Sequence, residues 1–420
     1  MNSRLLLGEW LPEPDRWEIL SDSQAMRLAI QEAFKGAGQT SPNPIVGCVV
    51  LDGKNRFLAK GFHEVLGGPH AEVNALKELT DADVKGAKVY VTLEPCAHSG
   101  KSPSCAKALA TLPLQQVIFG LFDPNPLVAG QGAQILHKAG IRVASFVANP
   151  ELAKIGIEFH LKDVSTDVQQ EWVSLLEQTC EHFLWNFRKQ APFVSIKVAS
   201  SLDGQMALKN GESKWITCEE SRVFAHYLRA SHEAILVGAG TLLTDNPKLD
   251  VRHPRFQNKV NKVVVLDSQG RCLRDFSSLN ILKVHQPENL IFLVGPSVEL
   301  KKQKETILNS GVKVVNIGTA ELNASVTVAQ PLDPQLILQQ LWQLNIKSIL
   351  VEGGAKVISS FIRAQLAQRL YVFTAPIIMG AKNGRSWTED LATSSMKDRI
   401  ALSWHRTQEF GEDHLFTGRF

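Results

Sequence analysis

Apolar positions in "SDSQAMRLAIQEAFKGAG" recur at helical spacing, with Met26, Ile30, Ala33 and Phe34 on one face, Ser21 and Ser23 as caps and Gly36 as a stop. The β-branched runs "PIVGCVVL" and "RFLAKGF", joined across Asp52 and Gly53, predict a hairpin. Beyond it, "AEVNALKEL", "CAKALATL" and "GAQILHKAG" read as helices that alternate with the strands "AKVYVTL", "QQVIFGL" and "IRVASF". This alternation predicts a layered α/β domain over 21–149 with largely parallel pairing, after an extension at 1–20. Over 150–190 the pattern becomes a helical connector, with Trp172, Leu175, Leu176, Cys180, Phe183 and Leu184 at helical spacing. Trp172 and Trp185 read as packing residues. From 191 to 420 a second α/β series follows. It opens with "PFVSIKVASSLDG", and its strands include "EAILVGAG", "KVVVLD", "NLIFLVG", "VKVVNIG", "SILVEGG" and "RLYVFTAP". Its helices include "EESRVFAHYLRA", "PQLILQQLWQLN" and "AKVISSFIRAQL".

Composition narrows the function classes. Apolar residues make up 44% and charged residues 21% of the 420, which is ordinary for a folded chain. A net charge of +3 leaves no strong footprint for nucleic acid, but it suits a small phosphorylated ligand. No apolar run approaches the roughly eighteen residues of a membrane span. The N-terminal leucine run is followed by Glu9, Glu13 and Asp15, too short and acidic for a signal peptide. The expected compartment is the cytoplasm, where cysteines lean towards metal binding or catalysis rather than disulfides. A homo-oligomer is compatible with the sequence.

Two of the six cysteines, Cys96 and Cys105, fall in "TLEPCAHSGKSPSC", and "HAE" (His70, Ala71, Glu72) stands upstream. "HAE" opens a helix, "EPC" ends a strand and Cys105 begins another helix. In an α/β sheet such junctions gather at the carboxyl ends of strands. One imidazole and two thiolates supply three zinc ligands and leave a fourth position open, which is a catalytic arrangement. Glu72 is placed to move protons without binding the metal. By residue type alone, His98 is an alternative third ligand. Cys48, Cys180, Cys218 and Cys272 read as small buried residues.

These residues resemble the zinc-dependent cytidine-deaminase superfamily, whose signature is H-x-E followed by P-C-x-x-C. The departure is that eight residues, not two, separate Cys96 from Cys105. With "SPNPIVGCVV", "GFHEVLGGPHAE" and "DPNPLVAGQG", the longer form resembles the deaminase half of the bifunctional riboflavin-biosynthesis deaminase/reductase family. That resemblance implies a cytidine-deaminase-like three-layer domain, Cys105 as the third zinc ligand, and Asn43, His63 and His98 in the substrate pocket.

"IKVASSLDG", "GESKWIT", "TDNPKLDVR" and "VEGGAKVISSFI" resemble the reductase half of the same family. The resemblance implies a dihydrofolate-reductase-like α/β domain that uses NADPH. It assigns Ser213, Arg229, Leu249, Arg252 and Glu352 to a ribose phosphate substrate. Ala199, Trp215, Thr241, Asp245 and Ser268 go to NADPH, whose phosphates fall to Gly354, Ala355, Lys356, Val357, Ile358, Ser359 and Ser360. Lys197 and Asp245 are assigned to proton handling at the reduced sugar carbon. Lys197 stands out without any family, because an unpaired ammonium inside an apolar strand is costly. The implied activity is zinc-dependent deamination of 2,5-diamino-6-(5-phosphoribosylamino)pyrimidin-4-one, then NADPH-dependent reduction of its ribosyl group to ribityl. A nucleoside or nucleic-acid deaminase would want a tight C-x-x-C and basic, aromatic-rich segments. A zinc-stabilised binding module would want a fourth protein ligand and no Glu72.

Overall fold

The computed structural model describes residues 11–97, 104–125, 129–149, 152, 154, 156–161, 164–256, 259–274, 276–296, 298, 310–318 and 331–420. The chain divides into two units between Lys189 and Gln190.

In the first unit, helix α1 (Asp22–Lys35) starts at a capping box in which Ser21 and Gln24 satisfy each other's backbone N–H groups. There follow β1 (Gly47–Leu51), β2 (Phe57–Phe62), α2 (Ala71–Leu76), β3 (Lys88–Leu93) and α3 (Cys105–Ala110). Then come β4 (Gln116–Leu121), α4 (Gln131–Lys138), β5 (Arg142–Ser145), β6 (Glu158–Phe159) and α5 (Thr166–Lys189). Among the described residues the strand order is β2-β1-β3-β4-β5-β6. β1 is antiparallel to both neighbours, and the pairing is parallel from β3 onward.

Alternation along the strands separates two cores. Val49, Leu51, Tyr90 and Ile118 pack with α1 and α5 on one face. Cys48, Val50, Val91 and Phe119 pack with α2, α3 and α4 on the other. The result is three layers, with the starts of α2 and α3 at one end of the sheet.

Three details differ from the sequence pattern. The β1–β2 hairpin turns over 52–56, and its left-handed residue is Asn55 (φ 63), not Gly53. Asp52 fixes that turn by accepting the N–H groups of Lys54 and Arg56. The end of the extension docks on the start of β2, where Trp17 N–H donates to Phe57 O and Phe57 N–H to Glu18 O. Within 150–190 the long helix covers only Thr166–Lys189, after the short strand β6, and α5 is not a free link. Its Trp172, Leu175 and Leu176 join the core beneath α1, with Trp172 edge-on to Phe146 at 4.8 Å.

The second unit contains β7 (Phe193–Ser201), β8 (Gln205–Leu208), α6 (Glu219–Ser231), β9 (Ala234–Gly238), α7 (Ala239–Asp245) and β10 (Lys262–Asp267). β11 (Leu290–Val294), β12 (Lys313–Asn316), α8 (Pro334–Gln343), β13 (Ser348–Val351), α9 (Ala355–Arg363) and β14 (Arg369–Ala375) follow. The C-terminal strands are β15 (Gly384–Ser386), β16 (Trp404–Phe410) and β17 (Asp413–Arg419). Among the described residues the main sheet runs β12-β11-β10-β9-β13-β7-β14-β17-β16, and β15 pairs with β8 separately. Pairing is parallel as far as β14, after which the β16–β17 hairpin adds antiparallel strands. One face packs on α8 and α9 through Ile337, Leu341, Ile358 and Phe361. The other packs on Leu242 of α7 and on Cys272 and Leu273. Both sheets thus present the carboxyl ends of parallel strands, where α/β folds place their sites.

Candidate active site

His70 is the N-cap of α2, which aims its ring back towards the end of β3. Cys96 follows β3, and Cys105 is the first residue of α3. Ser104 joins the two: its hydroxyl donates to Cys96 O at 2.7 Å and accepts from Lys107 N–H. Cys105 N–H donates to Cys96 Sγ at 3.3 Å. The sequence therefore sets the second cysteine at a capped helix start and ties the first to it.

His70 Nδ1 lies 3.2 Å from Cys105 Sγ and 3.6 Å from Cys96 Sγ. All three ligand atoms fall within 4.8 Å of one another. A tetrahedral ion with zinc's bond lengths needs a nitrogen–sulfur separation of about 3.5 Å, so the site fits the metal in both donor type and spacing. The charges agree. Donation from the Cys105 thiol, then from His70, pulls Cys96 down to about 4, while Cys105, as donor of the pair, moves up. All six cysteines are free thiols.

Glu72, 4% exposed on the same turn as His70, is pushed up by burial and further by the neighbouring Cys96. His63 stands edge-on to His70, ring centroids 5.3 Å apart. Its Nδ1 faces Pro69 O at 3.0 Å and must carry the proton, since a carbonyl only accepts. Nε2 is then the acceptor for Asn43 Nδ2, 3.4 Å away. The structure thus brings Asn43, His63, His70, Glu72, Cys96 and Cys105 into one cluster. His98 lies outside the described residues.

In the second unit, Lys197 and Ala199 share the face of β7 opposite Ile196 and Val198. Burial pulls Lys197 down, although the nearby Glu352 opposes this. Glu352 follows β13 and meets Arg229 of α6 at 2.6 and 2.8 Å. Arg229 also donates to Asp250 O at 2.8 Å, which fastens the turn carrying Leu249 and Arg252. Leu249 holds φ 53 and is buried, and Arg252 is exposed and pairs with Asp250 at 2.6 Å. Thr241 of α7 lies against the Gly353–Gly354 turn. A Cβ on Gly353 would stand 2.9 Å from its hydroxyl, so only glycine admits this approach. Asp245 ends α7, and Ser268 follows β10. Within 354–360, Ile358 is core and Ser359 Oγ accepts Glu389 N–H. The N–H groups of Val357 and Ile358 are taken by Gly354 O, which leaves those of Ala355 and Lys356 at the open helix start. Ser213 is half-buried before α6, and Trp215, 69% exposed, lies under the Arg222 guanidinium at 4.6 Å.

The chain matches the family model described as the RibD C-terminal domain over residues 192–416. It matches the cytidine and deoxycytidylate deaminase zinc-binding region over residues 20–121. It is 36% identical over 392 residues to the riboflavin biosynthesis protein RibD of Bacillus amyloliquefaciens, covering 93% of this chain and 94% of that one. The chain belongs to the RibD family. It is 31% identical to the Escherichia coli RibD over 86% of this chain and 89% of that protein. The solved RibD of Acinetobacter baumannii superposes with a TM-score of 0.72 at 30% identity, over 95% of this chain and 98% of that one. The Thermotoga maritima structure described as a diaminohydroxyphosphoribosylaminopyrimidine deaminase/5-amino-6-(5-phosphoribosylamino)uracil reductase gives 0.70 at 30% identity, over 94% and 97%. As a RibD, this is a bifunctional deaminase/reductase of riboflavin biosynthesis. It joins an N-terminal deaminase sheet domain to a C-terminal, dihydrofolate-reductase-like sheet domain. Among the described residues no helix is long and apolar enough to cross a membrane.

The sequence pattern does not mark several residues that hold the candidate ones in place. Ser104 and Asp250 fasten Cys96 and Arg229, as above. His226, one turn before Arg229, accepts Arg252 N–H at 3.1 Å, and burial with the two arginine charges brings it down to about 4. Glu94, 3% exposed, accepts N–H groups from Asp123, Gly130 and Ala133. An acid at the end of an apolar strand needs partners, but the residue types do not say which N–H groups supply them.

Proposed function

We propose that the first unit removes the 2-amino group of 2,5-diamino-6-(5-phosphoribosylamino)pyrimidin-4-one by zinc-dependent hydrolysis, and that the second reduces the ribosyl group to ribityl with NADPH. The observation that carries this reading is the convergence of His70 Nδ1 with the sulfurs of Cys96 and Cys105 beside buried Glu72. His70, Cys96 and Cys105 would hold the ion. Two thiolates and an imidazole favour zinc over magnesium, and three protein ligands leave a position for water. Zinc bound there supplies the Lewis acidity that makes water nucleophilic at neutral pH. Glu72 would take one proton from the attacking water and pass it to the ring nitrogen, then move the hydroxyl proton of the adduct to the amine, so that ammonia leaves and a ring carbonyl forms. Asn43 and His63, with His98, hold the pyrimidine. A reducing cytoplasm suits a site that needs two free thiolates.

In the second unit, Ser213, Arg229, Leu249, Arg252 and Glu352 take the ribose phosphate. Ala199, Trp215, Thr241, Asp245 and Ser268 take NADPH, and the turn at Gly354, Ala355 and Lys356 takes its phosphates. NADPH supplies hydride to the sugar carbon. Lys197 and Asp245 move the proton that the opening ring oxygen takes up. The test is incubation of the enzyme with the diaminopyrimidine phosphate, with and without NADPH. Ammonia should appear in both, and NADPH should be consumed only as deaminated product forms. Absence of ammonia with zinc-replete enzyme would remove the reading.

A further inference from the structure

Glu94 lies two places before Cys96, where β3 leaves the sheet. Its Oε2 accepts the N–H groups of Gly130 at 3.1 Å and Asp123 at 3.4 Å, and its Oε1 accepts that of Ala133 at 3.2 Å. Gly130 is the N-cap of α4, at φ 77, and has no side chain with which to cap it. The first N–H groups of a helix need acceptors from elsewhere, and a carboxylate also meets the positive end of the helix dipole. Glu94 supplies both from a different strand.

The packing at this joint is equally close. A Cβ on Gly132 would stand 1.9 Å from Pro95 O and 3.3 Å from Glu94 Oε1. The main chain of Glu94 is held as well, its N–H donating to Leu121 O at 2.8 Å. The first turn of α4 therefore rests on the peptide 94–96, and that peptide carries Cys96.

We propose that Glu94 is a positioning residue of the deaminase centre. By capping α4 it holds the Glu94–Pro95–Cys96 peptide where Cys96 Sγ meets His70 and Cys105. The proposal rests on reading those three residues as zinc ligands. A carboxylate is required because both oxygens face N–H donors. The amide of glutamine has the same shape but turns a donor towards a donor on one side. Outer groups that orient metal ligands are typically worth about 10–100-fold in metal affinity.

The test compares the full-length enzyme with Glu94→Gln and Glu94→Asp. Zinc affinity is read by chelator competition, and amide hydrogen exchange is read at Gly130 and Ala133, with Val91 and Phe119 reporting that the sheet stays folded. Glu94→Gln should bind zinc about 10–100-fold more weakly, with faster exchange at Gly130 and Ala133 and slower ammonia release. Glu94→Asp keeps both acceptor oxygens on a shorter stem and should fall between; it carries the comparison if the glutamine variant does not fold. Equal zinc affinity in folded variant and parent overturns the proposal, even where the melting temperature drops. A parent enzyme that holds no zinc overturns the ligand reading itself, a separate result.

Discussion

Arg229 and Glu352 meet in a two-pronged contact, Nε donating to Oε1 at 2.6 Å and Nη2 to Oε2 at 2.8 Å. The side chains are only 14% and 8% exposed, so neither charge is well solvated. Burial pushes Glu352 up, but Arg229, aided by Lys197, outweighs it and brings the carboxyl from 4.5 down to about 2. The pair links α6 to the end of β13 and fixes the guanidinium that also grips Asp250.

Removing one partner of such a pair leaves a buried charge uncompensated. Glu352→Gln should therefore cost about 3–5 kcal/mol of stability in the second unit, measured by denaturant unfolding of the intact chain. Because the folded value lies below 4.5, this contribution is complete above about pH 4.5 and fades as pH falls through about 2. The stability gap between parent and variant should stay constant from neutral pH to about 4.5 and then close. A gap that closes near neutrality would show that Glu352 is not held as an ion.

Glu72 sits on the turn that begins at His70 but is not among the converging ligand atoms. Glu72→Gln should keep the fold and the zinc yet lose ammonia release by roughly a hundredfold or more, the scale of general acid–base catalysis. Zinc content and turnover measured on the same preparation separate a proton carrier from a ligand. Unchanged turnover would remove Glu72 from the mechanism.

The choice between His98 and Cys105 as third ligand has a spectroscopic answer. Sulfur binds zinc near ~2.3 Å and imidazole nitrogen near ~2.0–2.1 Å. X-ray absorption of the zinc-loaded enzyme should fit two sulfurs and one protein nitrogen, in line with the approach of both thiols to His70 Nδ1. Two nitrogens and one sulfur would favour His98.

What the sequence made legible follows from how each feature is encoded. Central strands such as Val263, Val264 and Val265 are buried on both faces, so they appear as unbroken apolar runs. β16 is covered on one face only; His405, Arg406, Thr407, Gln408 and Glu409 hide it in a polar string. α7 begins inside "EAILVGAG", which the sequence pattern gives wholly to a strand; Leu242 packing on the sheet marks the helix. The group His70, Cys96 and Cys105 was readable because a histidine and two cysteines in such a pattern point to specific chemistry. Their supports were not. Glu94 is held by backbone N–H groups 36 and 39 residues away, which leave no trace in residue type. Arg229 and Glu352 are 123 residues apart, and only the adjacency of α6 and β13 in space joins them.

The two sites should fail independently. The converging ligands lie at or before Cys105, and the residues proposed for reduction lie at or after Lys197, in separate units. Each set sits on its own sheet and its own cores. Cys105→Ser is the sharp probe, since it weakens a zinc ligand with little change in volume. This variant should lose zinc and fail to release ammonia from the diamino substrate. Given the already deaminated pyrimidine phosphate, it should still oxidise NADPH at close to the parental rate. Lys197→Ala should do the reverse, releasing ammonia normally while consuming little NADPH, because no other ammonium on β7 faces that site. Parallel assays of ammonia and NADPH on both variants read the four outcomes. Loss of both activities in a folded Cys105→Ser protein would mean that the chemistry of one unit depends on the metal centre of the other.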